Sequence, residues 1–281
     1  MLVPAEAVAP VTPHDLHGSG GGPTLELIVV IAAAAAIAAY AGAVVVSRRR
    51  GRPWPLSRMV LWSAGVVAAT VAVVGPLASA THESFVAHMW SHLLGGMLAP
   101  LLLVLAAPVT LALRTLDVTP ARRLSRLLRS LPARFVAHPV TALALSAGGL
   151  WLLYVTPLFE AMRADPLLHL IVHAHLLAAG AIFTAAIVGL DPRPHPYGPV
   201  LLAVVLAASL ASHGILAKFL AAHPPGSVTP AEAQAGAQLM FTAGAWIEAA
   251  IIVIFCARWY RAAAPDRSPR RVRPSSLSRR T

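Results

Sequence analysis

Charge is what this sequence lacks. Asp, Glu, Lys and Arg make up only 12% of its 281 residues, about half the share of an ordinary soluble domain. A single cysteine, Cys256, excludes an internal disulfide framework and any Cys-x-x-Cys metal or redox site. No Lys or Arg precedes Arg48, so the first apolar stretch lacks the positive flank of a cleavable signal peptide. Residues 1–23 are expected to form an exposed tail ahead of an uncleaved first helix. No His-Glu-x-x-His motif occurs, because His82-Glu83 has no second His three residues beyond the Glu. That removes the zinc-protease reading. No nucleophile–base pairing follows from the spacing either, so an enzyme is not expected.

What is present is apolar, at 57% of the chain, and it comes in runs near 25–46, 57–80, 86–113, 138–157, 166–190, 197–221 and 236–258. Runs of roughly 20 apolar residues are what a hydrocarbon core demands of a helix. The charges lie between the runs, whereas the helices of a soluble core carry charge along one face. The run at 86–113 holds Pro100 and Pro108, which predicts a kink there.

The net charge of +11 could suggest a nucleic-acid partner, but the arginines are arranged by topology. Arg48, Arg49, Arg50, Arg52 and Arg58 follow the first run, and Arg114, Arg122, Arg123, Arg126, Arg129 and Arg134 follow the third. Arg193 follows the fifth, and Arg258, Arg261, Arg267, Arg270, Arg271, Arg273, Arg279 and Arg280 follow the seventh. Of the 22 basic residues, only Arg163 and Lys218 fall elsewhere. Seven spans place all four basic segments on one face, which the positive-inside rule makes cytoplasmic. The expectation is therefore an all-α polytopic membrane protein: seven transmembrane helices, N-terminus outside, C-terminus cytoplasmic. Its parts are an extracytoplasmic tail at 1–23, the helical domain at 24–260 and a basic tail at 261–281. The arginines are anchors facing anionic lipid, and no nucleic acid is expected.

Twelve histidines are many for so apolar a chain, and polar side chains within a bilayer face the bundle interior or a cavity. His88 and His92 stand at i, i+4 on the third helix. His169 and His173 repeat that spacing on the fifth, with His175 beyond them, and His213 lies on the sixth. Residues at i, i+4 share a helix face. At ~1.5 Å per residue, His92, His173 and His213 lie roughly 10–12 Å below the outer boundary. His82 and His223 fall in outer loops, His14 and His17 in the tail, and His138 and His195 on the opposite side.

Imidazole suits copper, zinc, nickel and haem iron, and thioether sulfur favours Cu(I); Met89, Met97 and Met240 lie in the same half of the chain's helices. The expected ligands are His88, His92, His169, His173 and His213, with Met89 and Met240 as soft ligands. Gln234 and Glu248 are candidate hydrogen-bonding supports. An acid at mid-helix, as Glu248 is, must be paired, protonated or functional. Its possible partners are a protonated His or Lys218, and a proton relay and a simple interhelical hydrogen bond are the other readings. Copper is one reading of the histidines, and haem b held by His pairs on facing helices is the other. A copper channel is disfavoured by the scarcity of polar residues in the inner halves of the helices.

The stretch Phe85-Val86-Ala87-His88-Met89-Trp90-Ser91-His92-Leu93-Leu94, continuing to Ala99-Pro100 and Ala107-Pro108, resembles the CtaG-type cytochrome c oxidase assembly factors. His138-Pro139, Thr156-Pro157-Leu158 and Glu232-Ala233-Gln234-Ala235-Gly236 with Met240 are similar to further landmarks of that family, and Ala233 and Phe241 depart from it. The resemblance implies a seven-helix, non-enzymatic protein of the bacterial plasma membrane that serves the copper centres of haem–copper oxidases. It implies copper ligation by His88, His92, His169 and His173, with a copper-bearing oxidase subunit as partner at the outer face.

Overall fold

The computed structural model describes residues 22–191 and 197–263. His14, His17, Arg193, His195 and the arginines beyond Arg261 lie outside the described residues. Among the described residues all regular structure is helical. Six helical stretches are long and apolar enough to cross a membrane: Thr24–Arg49, Leu56–Ala80, Phe85–Thr115, Pro166–Val188, Pro199–Ala222 and Pro230–Ala263. A further pair, Pro139–Val155 and Leu158–Ala164, is bent by 80° and counts as a seventh if the two form one broken span. The chain is thus a multi-pass membrane protein.

The helices begin and end where local chemistry dictates. α1 is Gly22–Arg49, α2 Leu56–Val71 and α3 Pro76–Ala80, the last entered through Gly75 at φ 84°. α4, Phe85–His92, starts at Ser84, whose hydroxyl accepts from the Ala87 amide at 3.3 Å. Such a cap satisfies one of the orphan donors of the first turn. A π-helical segment, Leu93–Leu98, carries α4 into α5, Ala99–Leu105, and the Ala99 amide reaches back to the Leu94 carbonyl. Pro100 has no amide to give the Gly96 carbonyl, and a wider turn accommodates that loss.

The second break predicted in this run lies before Pro108. Ala107 adopts a left-handed conformation at φ 52°, and α6, Pro108–Thr115, follows. Tyr40 of α1 donates its hydroxyl proton to the Ala106 carbonyl at 2.8 Å and accepts from Trp54 Nε1 at 3.0 Å. Asp191 accepts from both the amide and the hydroxyl of Thr110, at 2.8 and 2.6 Å, and so caps α6 from a distant loop.

α7, Val118–Leu128, and α8, Leu131–Val136, occupy the loop that the sequence marks only by its arginines, and neither buries a residue. α9 is Pro139–Val155 and α10 Leu158–Ala164. α11, Pro166–Val188, starts at Asp165, whose carboxylate accepts from Leu167 and Leu168 amides at 2.8 and 3.2 Å. α12 is Pro199–Ala222, and α13, Pro230–Ala263, runs into the stretch expected to be tail.

Side-chain contacts gather the loops at two ends. At one end Arg50 pairs with Asp117 at 3.1 Å, Arg258 donates to the Gly189 carbonyl at 2.7 Å, and His138 packs edge-on to Tyr197. At the other end Arg163 donates to the His82 carbonyl and to Ser227, and the Ser227 amide donates to Glu160 at 3.0 Å. The first end carries the described arginine-rich loops. The second holds the loops that flank the histidine-bearing turns of α4, α11 and α12.

Candidate functional site

His88 and His92 leave α4 on one face and meet α11 and α12 on different levels. His88 is 1% exposed. Its Nε2 pairs with the Tyr154 hydroxyl at 3.0 Å, and the Phe159 ring stands edge-on to it at 5.1 Å. His173 lies edge-on to His88 with ring centres 6.1 Å apart, and it stacks on His169 at 4.2 Å. His82 follows at 5.8 Å from His169, beside an outer cavity of about 250 Å³ that Glu26 also lines.

Both nitrogens of His173 are engaged. Nδ1 lies 2.9 Å from the His169 carbonyl, which only a ring N–H can satisfy. In the neutral ring Nε2 is then an acceptor, and it faces the Ser91 hydroxyl at 3.0 Å. The Ala72 carbonyl, at 2.5 Å, competes for the same Ser91 proton.

One turn deeper, His92 of α4 and His213 of α12 stand with ring centres 6.1 Å apart. His213 Nδ1 lies 3.0 Å from Glu248 Oε1 of α13. Glu248 therefore pairs with a histidine, while Lys218 is exposed. Both nitrogens of His92, Nε2 of His213 and Nδ1 of His88 are buried without a hydrogen-bond partner. His92, His213, Glu248 and Met97 line an interior chamber of about 70 Å³, room for a few water molecules or one ion. Glycines open this space. A Cβ on Gly244 would stand 2.6 Å from His213 Cε1, and one on Gly96 would stand 3.1 Å from His92 Nδ1.

The five expected ligands thus gather at one end of the bundle but divide into an outer group and an inner pair. Among the described residues, no three His, Cys, Asp or Glu side chains converge closely enough to hold a metal together. Met89 and Met240 are fully buried in an apolar cluster with Phe85, Leu153 and Phe159. The thioether that lines the chamber is Met97. Gln234 is exposed on α13. Tyr154, Ser91 and the two glycines are components that sequence reasoning missed. Only Gly96, four residues after His92, stood at a spacing that could have signalled its place.

The profile of the cytochrome c oxidase caa3 assembly factors (Caa3_CtaG) matches residues 38–262. The chain belongs to that family. The match takes in every histidine of the site, so the resemblance read from α4 extends from the second half of α1 almost to the end of α13. An uncharacterized protein of Mycobacterium bovis and one of Mycobacterium tuberculosis are each 38% identical to it over 159 residues, 53% of this chain and 24% of theirs. An uncharacterized protein of Mycobacterium leprae is 37% identical over the same length. The chain spans about a quarter of the length of these curated relatives. No solved structure matches it.

Proposed function

We propose that this caa3 assembly factor holds Cu(I) at its histidine end and passes it to an oxidase subunit, with copper as cargo. The observation that carries this reading is the set of buried imidazole nitrogens without partners, on His88, His92 and His213. Each buried, unsatisfied polar atom costs roughly 1–3 kcal/mol. Several in one region are explained by a guest that takes up the lone pair each neutral ring keeps on one nitrogen. Imidazole nitrogen with a thioether nearby suits copper. The lack of three converging His, Cys, Asp or Glu side chains among the described residues is unlike a closed four-ligand zinc site, and it suits an ion that must leave again.

We also infer seven passes, with α9 as the crossing part of the bent pair and α10 turned across its end. The arginine-rich end then lies in the cytoplasm, and the loops at 81–84 and 223–229, with α10 between them, form an outer docking face for a copper-bearing subunit. The chemistry is ligand exchange: no bond within a substrate breaks. Haem b held by the same facing histidines is the alternative, and it would announce itself by its absorption.

The test is copper content and visible absorption of the purified protein after exposure to Cu(I), together with copper loading of the oxidase in cells. His92→Ala combined with His173→Ala is expected to abolish both copper retention and loading. Undiminished loading in that double variant would sink the proposal, and a Soret band in the wild type would replace copper with haem.

A further inference from the structure

The histidine end contains two kinds of imidazole. Among the outer ones, His173 is engaged through both nitrogens and His88 through Nε2 with Tyr154, while the His169 ring stacks on His173. The inner pair has lone pairs to spare. Two imidazoles that bind one ion through facing nitrogens, with bonds of roughly 2 Å, stand about 6 Å apart between ring centres. His92 and His213 are separated by 6.1 Å.

Glu248 completes the arrangement. Metal-bound histidines as a rule donate their second ring N–H to a carboxylate or carbonyl, which fixes the tautomer and makes the ligand more basic. His213 Nδ1, 3.0 Å from Glu248 Oε1, is in that relation. The tautomer that donates to Glu248 leaves the lone pair on Nε2, the atom without a partner. The same carboxylate offsets the charge of a monovalent ion bound by two neutral rings. That matters where water is scarce and an unpaired charge is costly.

From this geometry we propose that Cu(I) rests in a two-coordinate seat between His92 and His213, with Glu248 as its counter-charge. His88, His169 and His173 do not ligate the resting ion. They line the way in from the cavity beside His82. The inference rests on the copper reading of the same region and narrows it to one seat.

The experiment is Cu(I) titration of the purified full-length protein in detergent against a competing chelator, with X-ray absorption at the copper edge. Expected for the wild type is one tightly held ion with two nitrogen neighbours. His92→Ala should lower affinity at least ~100-fold, because one of the two ligands is gone. Glu248→Gln should lower it roughly 10–100-fold while the two-nitrogen signature persists. His169→Ala should change it less than about threefold. Thermal unfolding of each variant separates loss of the seat from loss of the fold, and Glu248→Gln, which keeps size and shape, carries the test if His92→Ala unfolds. Copper held by three or four nitrogens, or unaffected by His92→Ala or Glu248→Gln, would overturn the seat and leave copper handling standing. A folded wild type that holds no Cu(I) would overturn both.

Discussion

Single side chains divide the histidines into those that hold the structure and those left free. Tyr154 partners His88, and Ser91 is shared between His173 and the Ala72 carbonyl. Nothing plays that part for His92, although it is only 4% exposed. Small residues protect that freedom. A methyl at position 244 would press on His213 at 2.6 Å, well inside normal contact. Gly244→Ala should therefore force the ring to move and destabilise the protein by about 1–3 kcal/mol, as overpacking does. Read in detergent, the change should lower the unfolding temperature and weaken Cu(I) retention together. If Gly244→Ala left both unchanged, His213 would not be held as described. Met89 and Met240 show the converse. Their sulfur marks them as candidate ligands in the sequence, yet both are sealed among Phe85, Leu153 and Phe159.

Among the elements, the third run is the least regular, and the breaks follow from its prolines. Pro100 and Pro108 each remove a backbone donor, and the chain answers with a π segment and with left-handed Ala107. The second break is held by Tyr40 and Trp54, from α1 and the loop after it. Tyr40→Phe deletes the donor to the Ala106 carbonyl and leaves the Trp54 N–H without its acceptor. The expected loss is roughly 1–3 kcal/mol, seen as a lower unfolding temperature with copper binding intact. A variant as stable as the wild type would mean that this break is held by other means. The kink could be predicted from proline alone, but its form could not. A π turn and a left-handed residue are both answers to a missing N–H, and neighbouring helices select between them.

For the whole molecule, the separation of basic loops from histidines is the governing feature. Arg50, Asp117, Gly189 and Arg258 meet at one end, while Arg163 ties the loops of His82 and Ser227 at the other. Reporter fusions test the seven-pass arrangement. A fluorescent protein inserted between Arg129 and Ser130, in the turn joining α7 to α8, should fold and glow in the cytoplasm. Alkaline phosphatase inserted between Thr156 and Pro157, at the bend joining α9 to α10, should be active outside. Activity of both reporters on the same side would mean that α9 does not cross the membrane.

The sequence by itself determined the membrane character, the approximate span of each long helix and the clustering of histidines toward one end. Those features depend on hydropathy, on proline and on a rise per residue that any helix obeys. It also led to the family. It did not determine which histidines share a neighbour, because i, i+4 spacing puts two rings on one face without saying what lies opposite each of them. Only the tertiary structure gave Tyr154 to His88, Ser91 to His173 and Glu248 to His213. Those pairings depend on how helices rotate and approach, and glycines such as Gly96 and Gly244 set that approach by the side chains they lack. The division into an outer stacked group and an inner pair backed by Glu248 is a property of packing across helices distant in the chain.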